Sequence, residues 1–171
     1  DAEQECFADG LTEELLNSLA RMPDLLVAAR TSSFGYKGST DSIPNIAKAL
    51  GVAHVLEGSV RRGNDRLRIT AQLIRASDGF HLWSETYDRS PDDVIAIQED
   101  LAIEIARALE TAMDPEALEE MVSAGTASVP AYEAYLKGLA LITRANTTGD
   151  ATAGDESLEQ FEEATRIDPK F

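Results

Sequence analysis

Three consecutive pieces of the chain decide the fold class: His54-Val-Leu-Glu-Gly-Ser-Val-Arg-Arg62, the link Gly63-Asn-Asp65, and Arg66-Leu-Arg-Ile-Thr-Ala-Gln-Leu-Ile-Arg-Ala76. Both flanking runs alternate apolar and polar residues with the period of a half-buried strand, and the link is a hairpin turn signal. Placing Asn64-Asp65 at the turn sets Val60 opposite Ile69, Gly58 opposite Ala71 and Leu56 opposite Leu73. The other face then pairs Arg61 with Arg68, Ser59 with Thr70 and Glu57 with Gln72. One face is apolar and the other polar, so the register agrees with the pattern. The small pair Gly58/Ala71 predicts close approach of a helix.

Downstream, Ser77-Asp78-Gly79 begins a second turn into Phe80-His-Leu-Trp-Ser-Glu-Thr-Tyr87. A three-residue loop with Gly79 left-handed puts Trp83 opposite Leu73 and Tyr87 opposite Ile69. A two-residue loop would turn Trp83 to the far face. The first register is favoured, although it sets Glu85 near Ala71 on the core face, where the carboxylate would need a partner. Ser90-Pro-Asp-Asp93 then supplies a cap, a proline and first-turn acids for a helix. Its buried stripe is Val94, Ile97, Leu101, Ile105, Ala108 and Ala112, broadened by Ile95, Ala102, Ile103 and Leu109. Asp114-Pro115 breaks it, and Glu116 to Val122 reads as a short acidic helix.

Upstream, Leu11, Leu15, Leu19 and Met22 recur at helical spacing, with Asp9 or Thr12 as the cap and Pro23 as the stop. Leu25-Leu-Val-Ala-Ala29 reads as a short buried, parallel-type strand. Thr31 to Thr40 is a Ser/Gly-rich loop carrying Phe34 and Tyr36. A helix follows from Ser42 to Leu50, with Pro44 in its first turn and Gly51 after its end. Beyond the linker Gly125-Thr-Ala-Ser128, two helices are expected over 130–144 and 156–167, with a polar, mobile connection over 146–154. The fold class is therefore α+β: a mixed sheet with an antiparallel three-stranded meander covered by helices, followed by a helical hairpin. The expected units are residues 1–124 and 125–171.

The chain has 171 residues, 31 acidic against 15 basic, and a formal charge of −16. A chain of this length can build a core without disulfides or metal. The acidic excess argues against general nucleic-acid binding, because a polyanion would repel the chain as a whole. The charge is unevenly spread: residues 61–89 hold four acids and six arginines, whereas residues 90–171 carry a net −13. A single cysteine, Cys6, excludes an internal disulfide or a multi-cysteine zinc site. No apolar run is long enough for a membrane span, so no membrane insertion by this chain is expected.

Several ordered segments resemble a known family. They are Phe7-Ala-Asp-Gly-Leu-Thr-Glu-Glu-Leu15, Ala29-Arg-Thr-Ser-Ser-Phe34, Gly51-Val-Ala-His-Val-Leu-Glu-Gly-Ser-Val-Arg-Arg62, Leu67-Arg-Ile-Thr-Ala-Gln-Leu-Ile74, His81-Leu-Trp-Ser-Glu85 and Tyr87-Asp-Arg89. Together they resemble the TolB amino-terminal-like, or FlgO-like, α/β domain over residues 5–113. Farther on, Tyr132, Leu136, Gly138, Leu139, Phe161, Ala164, Ile167 and Asp168-Pro169 resemble one tetratricopeptide repeat, although the expected loop is longer than that repeat carries. One repeat is too few for stability alone, so further repeats are expected.

The resemblance implies a non-enzymatic interaction or sensory module of a larger bacterial signalling protein. Its parents are membrane-anchored regulators, class III adenylate/guanylate cyclases or winged-helix regulators. The compartment it implies is extracytoplasmic for some parents and cytoplasmic for others. It carries over no catalytic residue, metal or cofactor. Family members have a hydrophobic strand before the Phe7-Ala-Asp-Gly10 segment, where this sequence shows only Asp1 to Cys6. Absence of that strand would leave a sheet edge or slot that invites another chain.

The residues themselves agree on chemistry. His54 and His81 lie in strands without cysteine or histidine at ligand spacing. Ser32-Ser33 and Ser59 lack a glycine-framed elbow, and Gly35-Tyr-Lys-Gly38 lacks the phosphate-loop pattern. The carboxylate pairs Glu13-Glu14, Asp92-Asp93, Glu119-Glu120 and Glu162-Glu163 suit helix starts and solvated faces. Two constellations remain. The first is the arginine cluster Arg61, Arg62, Arg66 and Arg68, a candidate patch for a protein partner or for self-association. Opposed like charges destabilise a sheet, so these arginines need acids from this chain, from solvent ions or from a neighbouring subunit. The second is a candidate aromatic pocket of Phe34, Tyr36, Trp83 and Tyr87, which as a core cluster would simply be packing and as a pocket would bind a small ligand.

Overall fold

The sheet has three antiparallel strands in the order β1 (His54–Arg62), β2 (Leu67–Arg75), β3 (His81–Arg89), as the computed structural model shows. The described residues are 2–63, 65–109, 118–120 and 123–171, with the side chains of residues 2 and 3 left aside. Every β1–β2 pair matches the register read from the alternation, from His54 opposite Arg75 to Arg62 opposite Leu67. The turn residue Asn64 lies outside the described residues, but Gly63 N–H donates to the Arg66 carbonyl at 2.7 Å and closes the hairpin around it.

The β2–β3 pairing sets Trp83 opposite Leu73, Glu85 opposite Ala71 and Tyr87 opposite Ile69, with Gly79 at φ 73° in the turn. The three-residue loop is therefore the one used. A bulge between Leu73 and Ile74 shifts the end of this ladder. Glu85 remains exposed, so its carboxylate reaches solvent without a buried partner. Gly58 is exposed as well. A Cβ there would lie 2.4 Å from the Thr70 carbonyl oxygen, so its bareness accommodates the neighbouring strand rather than the helix that was expected.

One face of β2, formed by Leu67, Ile69, Ala71 and Leu73, is buried. Helix α1 (Ala2–Ala20) covers the same core with Phe7, Leu11, Leu15 and Leu19. It begins well before the Asp9 or Thr12 cap that the sequence suggested, and Thr12 donates its hydroxyl to the Ala8 carbonyl at 2.7 Å instead. Leu25 to Ala29 joins no ladder, so the expected parallel strand is not formed; among the described residues the sheet has three strands. Leu25 and Val27 pack on the core while Leu26 is 96% exposed. Burial of alternate residues does not make a strand when no backbone edge is in hydrogen-bonding reach.

The loop after it contains a short helix, α2 (Arg30–Phe34), followed by α3 (Ile43–Leu50). Helix α3 has Ser42 as N-cap and Gly51 at φ 69° after its end, as the Pro44 and Gly51 positions predict. A single 3-10 turn, Pro91–Asp93, is capped by Ser90 and leads into α4 (Val94–Ala108). Val94, Ile97, Leu101, Ala102 and Ile105 are buried against the sheet and α1. Ala112 and the Asp114-Pro115 break lie outside the described residues. Of the expected acidic helix only 118–120 is described, helical and with Leu118 buried.

The last two helices are longer than expected. Helix α5 (Val129–Thr148) and helix α6 (Ala151–Ile167) are separated only by Gly149, at φ 73°, and Asp150, which accepts from Ala153 N–H at 3.2 Å. The mobile connection expected over 146–154 is instead mostly helix. Thr147 and Thr148 donate their hydroxyls to carbonyls four residues back, which satisfies them within the helix. The two helices meet at Gly138, where a Cβ would lie 2.5 Å from the Phe161 ring. Ser157 seals the contact by donating to the Gly138 carbonyl at 2.9 Å.

Helix α5 also packs on α1, and the core formed by the sheet, α1 and α4 includes Tyr132 and Leu136. Gly10 is interior to α1 for this reason: a Cβ there would lie 2.1 Å from the Leu136 carbonyl oxygen. Tyr135 donates to Glu14 at 2.7 Å, and the Thr143 hydroxyl bonds Glu13. At the linker, Thr126 donates to Asp168 at 2.6 Å.

Candidate interaction surface

The helices α1, α4 and α5 share the core with one face of the sheet, and the opposite face carries three polar rows across the strands. The first row is Arg61, Arg68 and Asp88; the second is Ser59, Thr70 and Thr86; the third is Glu57, Gln72 and Ser84. Strand alternation requires this separation, since successive side chains point to opposite faces. Thr70 and Thr86 hydroxyls lie 3.3 Å apart and tie the middle row together.

Asp88 answers most of the arginine problem. Arg66 donates through Nε to one of its oxygens at 2.9 Å, and Arg68 donates through Nε to the other at 3.0 Å. The hydrogen bond from Arg68 holds the Asp88 carboxyl below the ordinary carboxylate range, against a smaller opposing effect of burial. Arg62 belongs to the other face. Its guanidinium lies 5.1 Å from the Phe7 ring centroid and 2.5 Å from Glu133, and its carbonyl accepts from Gln4 at 3.0 Å. The predicted cluster is therefore divided: Arg61, Arg66 and Arg68 stand on or beside the outward face, and Arg62 clamps α1 to α5. Arg61 is exposed and makes no ion pair with any described residue, and the same holds for Glu57 on the same strand.

The predicted aromatic pocket is not assembled. Phe34 sits beneath Arg30, 5.7 Å from its guanidinium, and lines a groove of about 510 Å³ against α5. Tyr36 is half-buried in the turn that follows. Trp83 and Tyr87 stand on β3 and pack into the core. Burial, and next the charge of Asp100, push the Tyr87 phenol up to about 12. Phe34 and the β3 aromatics thus serve different surfaces, as their positions on a helix and on the core face of a strand demand.

Among the described residues no group of three histidine, cysteine or acidic side chains is placed to hold a metal ion, and no helix is long and apolar enough to cross a membrane. No family model matches the chain. One curated relative does: a Rhizobium meliloti (strain 1021) protein named "Putative adenylate cyclase 3", 38% identical over 169 residues. The match is partial on one side only. It takes in 99% of this chain and 28% of the Rhizobium protein, so the chain spans little more than a quarter of the relative's length.

Three side-chain contacts are not foreseen from the sequence. Asp88 is the acid shared by two arginines, and the only sequence signal was its place in Tyr87-Asp-Arg89, opposite Arg68 once the β3 register is known. Lys37 bridges Glu5 at 2.8 Å and Asp9 at 2.6 Å, tying the loop after α2 to α1. Glu13 and Glu14, read as solvated, face α5 and Arg30 instead. Their signal was the i, i+4 placement of Glu14 beside Gly10, a bare helix position that marks close approach.

Proposed function

We propose that this chain is a non-catalytic, contact-making region of a larger adenylate-cyclase-type polypeptide, and that it contributes protein–protein contacts through its sheet. The observation that carries the reading is the sheet's outward side: three ordered polar rows beside a strand edge at β1, with apolar burial on that face at the Val55/Ile74 end. Polar rows with a free strand edge suit β-strand addition by a partner. The end-to-end match to one stretch of the Rhizobium protein supports a role as a region rather than as the whole. The α5–α6 hairpin would continue the contact surface as the opening unit of a tetratricopeptide-type array.

The reading is tested by excising the matching stretch from the Rhizobium relative, then measuring cyclic AMP formation and sedimentation. The expected result is turnover retained with the assembled species lost. Loss of turnover with assembly unchanged would overturn it, as would cyclic AMP formation by this chain alone.

A further inference from the structure

The two sheet edges differ. At β3 the ladder is interrupted by the bulge at Leu73/Ile74, a common way of blunting an edge. At β1 the pairing with β2 runs unbroken for all nine residues, and the strand contains no proline or lysine. Its backbone polarity can be worked out. Gly63 N–H donates to Arg66 O at 2.7 Å, and Ala76 N–H donates to Ala53 O at 2.9 Å, so odd-numbered residues of β1 exchange hydrogen bonds with β2. The N–H and C=O groups of Leu56, Gly58 and Val60 therefore point away from the sheet. No described backbone group outside the strand bonds them, the segment 25–29 included.

Two unpaired charges mark the same strand. Glu57 and Arg61 are exposed, lie on the outward face two rows apart, and make no ion pair with a described residue. Arg61 is also opposite Arg68, a like charge, while the acid that relieves Arg68 is on β3.

We propose that β1 pairs antiparallel with β1 of a second copy of this chain, centred on Ser59, to give a continuous six-stranded sheet. The alternation of free backbone groups allows only registers that place even-numbered residues opposite even-numbered ones. Centring on Gly58 sets Arg61 against Val55; centring on Glu57 sets two glutamates against each other. Centring on Ser59 sets Glu57 against Arg61 of the second copy, and Arg61 against its Glu57. Gly58 and Val60 then exchange hydrogen bonds across the axis. Both unpaired charges are satisfied by one symmetry operation, as an isologous two-fold contact requires. The inference rests on the contact-making reading above and names its partner.

Charge reversal tests it, because the symmetric arrangement makes a prediction no other interface shares. By analytical ultracentrifugation at low salt, the native chain is expected to dimerise. Glu57→Arg and Arg61→Glu, each alone, are expected to weaken the dimer by about tenfold or more, since each replaces two attractions by two repulsions. An equimolar mixture of the two variants should recover the dimer, because one now carries two arginines and the other two glutamates at these positions. The double variant, Glu57→Arg with Arg61→Glu, should recover it too. Both residues are exposed, so unchanged thermal melting is expected for every variant at concentrations low enough that the native chain is monomeric too. Ser59→Cys should cross-link two copies under mild oxidation in a Cys6→Ser background. A native monomer at high concentration, or a dimer indifferent to reversal and mixing, would overturn the proposal. Dimers insensitive to these changes would leave the contact-making reading intact, whereas a chain that binds neither itself nor the longer polypeptide would remove both.

Discussion

Glu14 is 6% exposed, on the face of α1 that meets α5, with the Tyr135 hydroxyl at 2.7 Å, Arg21 at 3.9 Å and a hydrogen bond with Asn17. Burial pushes its carboxyl above the ordinary value of 4.5, against the hydrogen bond from Tyr135 and the charge of Arg21. The sign of the consequence follows. The folded chain holds this proton more tightly than the unfolded chain, so Glu14 favours folding below pH 4.5 and loses that contribution as pH rises through its folded pKa. Glu14→Gln keeps an acceptor for Tyr135 without a charge to desolvate. It is expected to raise the melting temperature at pH 7 and to flatten the fall in stability above pH 4.5, both read by thermal melts across pH. Tyr132 is buried with its hydroxyl unpartnered among the described residues, so the α1–α5 junction carries polar groups inside the core, as the buried Gln98–Ser18 pair does elsewhere. At this scale little was legible beforehand. A glutamate in a helix start reads as solvated until the helix that covers it is known, and that helix lies 121 residues away.

The elements were far more legible where a local pattern fixes a geometry. Alternation plus a turn signal determines strand, partner, register and face together, so β1, β2 and β3 could be paired residue by residue. Apolar content alone does not: Leu25-Leu-Val-Ala-Ala29 has a strand's composition, but its ladder depends on a neighbour that no local feature specifies. The polar connection over 146–154 misled in the opposite sense. Threonine and aspartate at helix ends satisfy themselves by back-bonding and capping, so polarity there marks a tight turn rather than a loop. Gly10 shows how one element constrains another. Alanine would improve the intrinsic helix propensity of α1 by about 1 kcal/mol. Its methyl would nonetheless collide with the Leu136 carbonyl, at 2.1 Å. Gly10→Ala is expected to cost about 2 kcal/mol net, in the range for overpacked interiors, measured by urea denaturation.

For the whole molecule, the core joins residues from both sides of the 125–128 linker. Phe7, Leu11 and Leu15 share their cluster with Tyr132 and Leu136, and Tyr135 meets Phe171 edge-on at 5.1 Å. A chain ending at Ala124 is therefore expected to lose cooperative unfolding and the near-ultraviolet signal of its single Trp83, because α1 would face water along its apolar stripe. A sharp transition in that shortened chain would show instead that the sheet, α1 and α4 suffice. The expected separation into 1–124 and 125–171 has a compositional basis in Gly125 and Ser128, but composition cannot report the Thr126–Asp168 bond that draws the linker in.

The Gly10–Leu136 contact also decides how α5 can move. Two helices packed through side chains can creep along each other, because long side chains re-rotamer to follow. Here the meeting is between a bare Cα and a carbonyl, and neither can adjust. A slide of one turn, about 5.4 Å along the axis, would bring the next side-chain-bearing position on that face of α1 up against that carbonyl. The contact is a detent: α5 can lift off α1 or pivot about the glycine, but it cannot be dragged along it. A pull applied to the C-terminal helices would then travel to the sheet as rotation or release, and not as sliding.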